Sequence, residues 1–308
     1  MDIRDEDDRV FKTDTERRTH ITNFYCDLYK VPPPIPDQIQ SKSIEEFLGD
    51  VANHPEVVAS KISDEEKLIL DRSLSIAELD LAVSKAKLNS APGIDGISNR
   101  FMKDFWEFFR VPLHKYALCC LEKGELACNF RSSKIRLIPK KGDTSKIKNW
   151  RPISLLNCFY KIISRSIAER LKTVINKITN VGQKGYNSST YCQEVFISII
   201  DEIQTANVNK KSGALLSLDI RKAFDTISHR YINEAYQFFN FGEHSIKWLN
   251  LIGTNRRAFI ILENDMHSEF FNLERGNAQG KNCVLMVAEG RCWPGSETGC
   301  REGNRGLY

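Results

Sequence analysis

The sequence predicts an α+β fold in which helices pack on one face of an antiparallel sheet. Apolar residues recur at helical spacing through most of residues 75–210. Residues 214–220 then read as a short buried strand, two helical stretches follow, and residues 257–263 and 267–274 have the pattern of a hairpin around a polar turn. Strand, helix, helix and two strands in this order are typical of an α+β domain.

Length and composition are those of a globular protein. The 308 residues suit one large domain or two modest ones, and 41% hydrophobic residues are enough for a core. No apolar run reaches about 18 residues, and the start MDIRDEDDRVFKTDTERR is too charged for a signal peptide. The nine cysteines are an odd number and show no CxxC spacing. We therefore expect an intracellular protein, cytoplasmic or nuclear, that is not secreted, contacts no membrane and holds no structural zinc.

Charge is distributed unevenly along the chain. Residues 1–80 hold 19 acidic residues against 10 basic ones, whereas residues 131–172 hold 12 Lys or Arg against Asp143 and Glu169. A basic segment of this kind is either the solvated face of a helix or a surface that binds phosphate or a polyanion. Charge by itself leaves the two interpretations even, so the local pattern has to decide between them.

The local pattern within the basic segment favours a binding surface. Residues 134–138 alternate basic and apolar side chains, as in a strand with one exposed face, and Pro139 ends the run. A turn then leads to a predicted helix from about residue 158 to 178, whose apolar stripe leaves basic residues on its opposite side. Basic groups from a strand, a turn and a helix are thus placed to converge on a triphosphate or a nucleic-acid backbone. The candidates for nucleic-acid binding are Lys134, Arg136, Lys161, Arg165 and Lys172.

Further helices are predicted on either side of this segment. The motif SxxE at residues 75–78 is a capping box that opens a helix ending near residue 90. The loop APGIDGI, residues 91–97, has the Pro and Gly chemistry of turns and precedes an aromatic helix near residues 101–109. Another helical stretch lies around residues 195–203.

Two acidic residues lie where the predicted strand 214–220 meets the next helix. Asp219 belongs to an apolar run, and a buried carboxylate is costly unless something pairs with it. A hard divalent cation would offset that cost, which makes Asp219 a candidate metal ligand. Asp225 lies about six residues further on and is better explained as the cap of a helix that runs to Phe239.

Seven segments, in this order, resemble the reverse transcriptases of non-LTR (LINE-type) retrotransposons. They are APGIDG, IRLIPKKGD, WRPISLLN, QKGY, LDIRKAFD, FGE and RGNAQG, and with the helix that precedes them they cover residues 79–280. No single segment is decisive, but the ordered set argues against a chance match. Group II intron maturases share the palm of these enzymes. The residues of IRLIPKKGD and WRPISLLN, and the spacing between the two motifs, favour the LINE type.

The resemblance implies a right-hand polymerase, represented here by the fingers and the N-terminal half of the palm, with the palm incomplete and the thumb absent. Residues 1–75 would then be an acidic connector, residues 76–210 the fingers, residues 211–280 a partial palm and residues 281–308 a disordered tail. The implied activity is RNA-templated DNA synthesis on a DNA primer at its target, with deoxynucleoside triphosphates as substrates and Mg²⁺ as cofactor.

The same resemblance assigns roles to the residues at matching positions. Asp219 would be the first catalytic carboxylate and a metal ligand, and Ile220 would offer its backbone carbonyl to the metals. Phe224 matches the residue that faces the sugar and excludes a 2′-hydroxyl, although taken alone it reads equally as a core phenylalanine. The positions that would contact the nucleotide are Lys140, Lys141, Arg151, Phe224 and Gln279.

The sequence after Gly280 departs from the family pattern. Relatives continue with DPLSP-like residues and an Ala-Asp-Asp hairpin, whereas this chain continues KNCVLMVAEG and has no adjacent Asp pair after Asp8. Residues 281–308 hold 5 of the 17 glycines and 3 of the 9 cysteines without a helical or strand period, which indicates a frameshifted or mis-spliced end. Because two-metal phosphoryl transfer needs more than one acid, we expect an inactive fragment of an RNA-directed DNA polymerase. The alternatives are a working polymerase, a non-catalytic remnant that binds nucleic acid, and an unstable relic.

Overall fold

A computed structural model describes residues 3–5, 7–33, 43–179, 191, 193–218, 222–262 and 266–276 of the chain. The helices are α1 (Asp14–Tyr29), α2 (Ile44–Leu48), α3 (Pro55–Ala59), α4 (Asp64–Leu70), α5 (Ile76–Ser84), α6 (Asn99–Asp104), α7 (Trp106–Lys123), α8 (Cys128–Arg131), α9 (Cys158–Ile178), α10 (Gln193–Val208), α11 (Ala223–Thr226), α12 (His229–Phe238) and α13 (Glu243–Gly253). Two 3₁₀ helices span Gly49–Asn53 and Ile147–Asn149. The strands are β1 (Ser132–Pro139), β2 (Trp150–Leu156), β3 (Arg256–Ile261) and β4 (Phe271–Leu273). None of these helices is long and apolar enough to cross a membrane.

The four strands form one mixed sheet in the order β2-β1-β3-β4. β1 and β2 pair antiparallel, as do β3 and β4, but β1 and β3 are parallel, with Ser132 opposite Arg257. The mixture of helices and sheet is as predicted, whereas the prediction of a wholly antiparallel sheet is wrong at its centre. Strands joined by a tight hairpin must be antiparallel, but β1 and β3 are separated by several helices, and such a connection permits parallel pairing.

One face of the sheet is buried beneath α1. Residues 1–75 are predicted to be a loose acidic connector, and α1 departs from that prediction because its large apolar side chains cover a sheet face that water would otherwise reach. These side chains recur every four residues and so lie on one side of the helix. They are Ile21, Tyr25 and Tyr29.

α9 is the central helix of a second, larger core. Its bounds, Cys158–Ile178, agree with the prediction from its apolar stripe. The apolar residues of α4, α5, α7 and α13 belong to the same core and surround it. The buried residues of the predicted stripe are Ile163, Ile167, Leu171, Val174 and Ile178.

The capping box that opens α5 is confirmed. Ser75 Oγ accepts a hydrogen bond from the N–H of Glu78 at 3.3 Å, and Glu78 Oε2 accepts one from the N–H of Ser75 at 2.8 Å. α5 ends at Ser84, before the predicted end near residue 90. The aromatic stretch after it forms two helices rather than one, because the backbone leaves helical geometry at Phe105, with φ −110° and ψ 19°.

Residues 214–220 are predicted to be a buried strand, but the described part of this segment is not one. Residues 211–217 form neither helix nor strand, and Leu215 and Leu216 are 62% and 60% exposed. A strand is stable only when its N–H and C=O groups pair with a neighbour, and none of the four described strands lies beside these residues. α10, just before them, is helical as predicted but also has no buried residue in its described part.

Arg170 links α9 to α5 and to the loop before it. Its guanidinium forms an ion pair with Glu78 and donates to the carbonyl oxygens of Leu70, at 3.1 Å, and Ser73, at 2.9 Å. The Arg170 side chain is only 11% exposed, so these bonds are largely shielded from water. Burial opposes a charge on Glu78, but hydrogen bonds from Arg170 and Ser75 outweigh it and lower the pKa of this carboxyl to about 2.

Replacement of Arg170 by methionine should lower the free energy of unfolding by about 3 kcal/mol, because a half-buried carboxylate and the carbonyl oxygens of Leu70, Arg72 and Ser73 lose their donor. Urea denaturation followed by circular dichroism measures the loss. Arg230→Met is the matched control, since Arg230 pairs with Glu234 one turn away on an exposed face of α12 and its loss should cost about 0.5 kcal/mol or less.

The loss should also depend on pH. Because the pKa of Glu78 lies below its ordinary value near 4.5 in the folded protein, the stability that its charge contributes is complete above that pH and is lost as the pH falls toward about 2. The difference between wild type and Arg170→Met should therefore shrink over this interval. A difference that is independent of pH, or equal losses in Arg170→Met and Arg230→Met, would contradict this description of the pair.

Candidate functional site

Four basic side chains lie on the open face of the sheet, opposite α1. Lys134 and Arg136 alternate with buried residues along β1, and the register pairs Ile138 with Arg151, so that Arg151 shares their face. Lys140 continues the alternation past the end of β1, because its N–H still donates to the opposite carbonyl oxygen at 2.8 Å. The predicted strand with one basic face is therefore confirmed, and it brings two predicted nucleotide contacts beside two predicted nucleic-acid contacts.

These four side chains and that of Lys141 carry positive charge that no carboxylate in the described part of the chain neutralises. Arg136, Lys141 and Arg151 are exposed, and the other two are half-buried. Within the described ranges no carboxylate forms an ion pair with any of the five, whereas the neighbouring Lys146 pairs with Asp8 at 3.4 Å. An open surface of this kind attracts phosphate groups.

The turn between β1 and β2 is held by its own hydrogen bonds. Asp143 accepts bonds from the backbone and the hydroxyl of Ser145, at 2.9 and 2.7 Å, and its carbonyl oxygen accepts one from the Asn149 side chain at 2.7 Å. The bonds from Ser145 lower the pKa of the Asp143 carboxyl. This acid is therefore engaged within the turn and leaves the charges of Lys140 and Lys141 available.

The basic residues of α9 make contacts within the protein. Lys161 Nζ donates to the carbonyl oxygen of Ala91 at 3.1 Å, and burial lowers the pKa of this lysine. Arg165 Nη1 donates to the carbonyl oxygen of Ala82 at 2.8 Å, and Lys172 pairs with an acid one turn away on the same helix. The contact of all three with nucleic acid stays a prediction; in the structure Lys161 and Arg165 join α9 to neighbouring elements, and Lys172 pairs within the helix.

Two of the sequence motifs meet at Asn157, the last residue of WRPISLLN. Its Oδ1 accepts a hydrogen bond from the N–H of Ile94 at 2.8 Å, and its Nδ2 donates to the carbonyl oxygen of Asn129 at 2.9 Å. Gly93 of APGIDG lies so close that a Cβ there would be 2.5 Å from the Asn157 backbone. Glycine is therefore required where the loop APGIDG docks on the end of β2.

Asp225, at the end of LDIRKAFD, has a role that differs from the prediction. It lies inside the short helix α11, and the next helix, α12, begins at His229 after Ser228, so Asp225 is not the predicted helix cap. The side chain is buried, and its Oδ1 accepts a hydrogen bond from the hydroxyl of Tyr29 in α1 at 3.0 Å. A partner from the other end of the chain thus satisfies this carboxylate. Phe224, next to it, is half-buried, which agrees with both interpretations of that residue.

The start of RGNAQG lies against the end of LDIRKAFD. The N–H of Gly276 donates to the carbonyl oxygen of Ile227 at 2.8 Å, and the Gly276 carbonyl oxygen accepts bonds from His229 at 2.9 Å and Arg256 at 3.3 Å. Gly276 has φ +79°, and a Cβ there would lie 2.5 Å from the carbonyl oxygen of Asp225. The two motifs are therefore in direct backbone contact, and glycine is required at this position.

Three predicted site residues, Asp219, Ile220 and Gln279, lie outside the described residues. Within the described ranges no group of three His, Cys, Asp or Glu residues could hold a metal ion. The carboxylate and carbonyl oxygens of Asp219 and Ile220 are the donor type that a hard divalent cation prefers, so the predicted Mg²⁺ site rests on these residues alone.

Comparison with known proteins shows the family to which this arrangement of residues belongs. Residues 138–284 match the family described as reverse transcriptase (RNA-dependent DNA polymerase). The chain is 31% identical over 244 residues, 79% of its length and 18% of the relative's, to an uncharacterized 149 kDa protein of transposon TX1 from Xenopus laevis. It is 29% identical over 184 residues, 58% of its length and 24% of the relative's, to the Pol polyprotein of the type-1 retrotransposable element R2 from Popillia japonica. This chain carries part of a non-LTR retrotransposon reverse transcriptase.

The matched region of the reverse transcriptase takes in most of the elements that form the site, although Lys134 and Arg136 of β1 precede it. It begins at Ile138 in β1 and therefore includes the turn, β2, LDIRKAFD and RGNAQG. A third relative, the RNA-directed DNA polymerase from mobile element jockey of Drosophila melanogaster, is 28% identical over 160 residues, 51% of this chain and 18% of the relative. The chain spans about a fifth of the length of these relatives.

Three polar residues that lie at the candidate site, Tyr29, His229 and Arg256, were not predicted. Arg256 begins β3 on its inward face, where it is 3% exposed and donates to the carbonyl oxygen of Gly253 at 3.1 Å. Its alternation with Ala258 and Ile260 is a signal of burial that the sequence does contain. Nothing in the local sequence of Tyr29 signals its bond to Asp225, because the two residues are joined only in the folded chain.

Gly276→Ala should lower the free energy of unfolding by about 3 kcal/mol. About 1 kcal/mol comes from placing a Cβ at positive φ, and the rest from its collision with the Asp225 backbone, which cannot move aside as a flexible side chain can. Gly124→Ala is the control, because Gly124 has φ +72° at the end of α7 with no atom within 4 Å of the added Cβ.

Urea denaturation of the two variants separates strain from collision. Gly124→Ala should cost about 1 kcal/mol, and the excess in Gly276→Ala measures the contact between the two motifs. Equal costs would show that RGNAQG and LDIRKAFD are not in the close contact described above.

Proposed function

We propose that this chain binds an RNA template, a DNA primer and a deoxynucleoside triphosphate, which are the ligands of RNA-directed DNA synthesis. The observation that carries the proposal is the open sheet face on which Lys134, Arg136, Lys140 and Arg151 lie together, with no ion pair to any described carboxylate. Family membership indicates the reaction, and this surface is the described part of the chain best suited to bind phosphate.

Within this proposal the basic residues divide their roles by position. Lys140 and Arg151, at the end of the hairpin, hold the triphosphate, with Lys141 of the turn as a helper. Lys134 and Arg136, further along β1, contact the nucleic-acid backbone. Arginine offers two parallel donors to phosphate oxygens, whereas lysine acts as a compact point charge, so a mixed pair orients and neutralises the triphosphate together.

The remaining roles in the proposal belong to residues of LDIRKAFD and RGNAQG. Phe224 faces the sugar and leaves no room for a 2′-hydroxyl, and Gln279 lies near the templating base pair. Asp219, with the Ile220 carbonyl, holds a divalent cation, which when bound neutralises charge on the triphosphate. These assignments rest on the match of LDIRKAFD and RGNAQG to the family and on the contact between Asp225 and Gly276 that joins the two motifs.

Joint substitution of Lys134 and Arg136 by alanine should weaken binding to a primed RNA template roughly tenfold or more at low ionic strength, because two contacts with backbone phosphates are lost. The slope of log affinity against log salt concentration should become shallower by roughly 1.5, as expected for two contacts. Fluorescence anisotropy with a labelled DNA primer annealed to RNA measures both quantities.

The matched control is joint substitution of Arg230 and Lys247 by alanine. It removes the same charge from α12 and α13, where each base already pairs with a glutamate one turn away. Binding by this control should stay close to wild type. Wild-type binding that does not depend on salt, or equal weakening in the two double variants, would contradict the assignment of the sheet face.

A second question is whether this polypeptide also catalyses. Asp219 is the acid that LDIRKAFD supplies, and the residues after Gly280 depart from the pattern that gives relatives their adjacent aspartates. We propose that the 308-residue polypeptide binds nucleic acid without extending a primer. Incubation with a primed RNA template, Mg²⁺ and deoxynucleoside triphosphates should give no extended product under conditions where anisotropy shows the complex.

Asp219→Ala is the control for that experiment. Extension by the wild type that Asp219→Ala abolishes would establish a working polymerase and contradict the proposed lack of catalysis. Extension that survives in Asp219→Ala would come from a contaminating enzyme, and the preparation would then have to be repeated without it. Loss of binding in both proteins would favour the third hypothesis, an unstable relic.

A further inference from the structure

The end of α1 is bound to both of the motifs that meet at Gly276. On the side of LDIRKAFD, the Tyr29 hydroxyl donates to Asp225 at 3.0 Å, and both side chains are almost wholly buried. The ammonium group of Lys222 lies over the Phe24 ring, 4.2 Å from its centroid. These contacts join the N-terminal helix to a distant segment of the chain, since Tyr29 and Asp225 are 196 residues apart in sequence.

On the side of RGNAQG, the backbone of the same helix end pairs with the residues just before Gly276. The N–H of Glu274 donates to the carbonyl oxygen of Tyr29 at 3.1 Å, and Arg275 Nε donates to that of Leu28 at 2.8 Å. The Glu274 carboxylate in turn accepts a bond from the N–H of Val31 at 3.0 Å. Donors that follow β4 thus satisfy the carbonyl groups that the last turn of α1 leaves without a partner inside the helix.

We propose that Tyr29 is a positioning residue of the nucleotide site, which through its bond to Asp225 sets the placement of Phe224 against the sugar of the incoming nucleotide. The inference rests on the proposed function for the role of Phe224, whereas the hydrogen bond between Tyr29 and Asp225 is observed independently of that function. Phe224 and Asp225 are neighbours in a helix of only four residues, so restraint of one backbone position restrains the other. Tyr29 would act through Asp225 and would touch no substrate.

The chemistry of the pair suits a fixed restraint. Burial first, and then the neighbouring Asp225 carboxylate, raise the pKa of Tyr29 well above its ordinary value, so its hydroxyl keeps its proton and remains a donor. Removing a donor from a buried carboxylate costs free energy, so the hydrogen bond between Tyr29 and Asp225 is expected to persist. Stacking of the Tyr29 ring between Tyr25 and Phe271, with ring centroids 6.4 and 6.1 Å away, holds the donor in place.

Tyr25 provides a matched control on the same helix. It is one turn before Tyr29, is fully buried, and burial likewise raises the pKa of its hydroxyl. Its hydroxyl, however, has no hydrogen-bond partner among the described residues. Tyr25→Phe and Tyr29→Phe therefore remove the same atom from the same face of α1, and only the second removes a bond to Asp225.

The first measurement is amide hydrogen exchange of the full 308-residue chain. In Tyr29→Phe the peptide that covers residues 222–227 should exchange roughly tenfold to a hundredfold faster than in wild type, the factor expected when a buried hydrogen bond to a charged group is lost. In Tyr25→Phe the same peptide should exchange as in wild type. Peptides of α9 serve as an internal reference in both variants, because they belong to the other core.

The second measurement is the preference for deoxyribose. Competition between a deoxynucleoside and a ribonucleoside triphosphate for the chain bound to a primed RNA template gives the ratio of the two affinities. Tyr29→Phe should reduce this ratio several-fold, roughly threefold or more, because Phe224 is held less firmly. A variant that only lowers stability would weaken both nucleotides alike and leave the ratio unchanged.

The outcomes separate this inference from the proposed function. Faster exchange at residues 222–227 together with a reduced ratio, in Tyr29→Phe but not in Tyr25→Phe, supports the positioning role. Unchanged exchange, or equal effects of the two variants, overturns it even if the wild type binds nucleotide. A wild type that binds no nucleotide overturns the proposed function and with it the role at the sugar, whatever the exchange data show for the bond. Faster exchange with an unchanged ratio also overturns the role at the sugar and leaves a structural bond.

Discussion

The parallel pairing of β1 with β3 is the constraint on which the described structure depends. β1 belongs to the basic hairpin, whereas β3 follows LDIRKAFD and leads to RGNAQG, so this one pairing brings together segments that the chain separates by several helices. Closing so long a loop costs entropy that the pairing of five residues cannot offset alone. Burial of the sheet beneath α1 supplies the difference, because it removes the apolar side chains of both strands from water at once.

The same arrangement separates charges of opposite sign. Two described acids near the site have partners inside the protein: Asp225 accepts a hydrogen bond from Tyr29, and Asp143 accepts one from Ser145 within its own turn. Bases on the open face of the sheet, such as Lys140 and Arg151, have none among the described carboxylates. A chain with a net charge of only +4 can therefore present a surface with a strongly positive field, because its acids are distributed elsewhere. The N-terminal segment, rich in acids, contributes mainly the uncharged side of α1 to the sheet.

Local patterns predicted the elements that local interactions determine. The apolar stripe of α9 gave both of its ends, the capping box gave the start of α5, and the alternation in β1 gave its basic face. Three of the errors have a common physical cause, which is that the deciding contact lies far away in sequence. Residues 214–217 have the composition of a buried strand but no described strand to pair with, and Asp225 has the position of a cap but bonds to Tyr29. Periodicity and capping rules carry no information about such contacts, and the direction of the β1–β3 pair is of the same kind.

The contact between Asp225 and Gly276 bears directly on how the site could select its substrate. Distinguishing a deoxyribose from a ribose depends on excluding a single oxygen atom, so the excluding side chain must be placed to within a fraction of an ångström. Asp225 is restrained on two sides, by Tyr29 at its carboxylate and by Gly276 at its backbone, and any side chain at position 276 would break the second restraint. Phe224 is the neighbour of Asp225 in the same four-residue helix, so these restraints also limit the movement of Phe224. If Phe224 faces the sugar as proposed, the double restraint on Asp225 would supply the precision that exclusion of one oxygen atom requires.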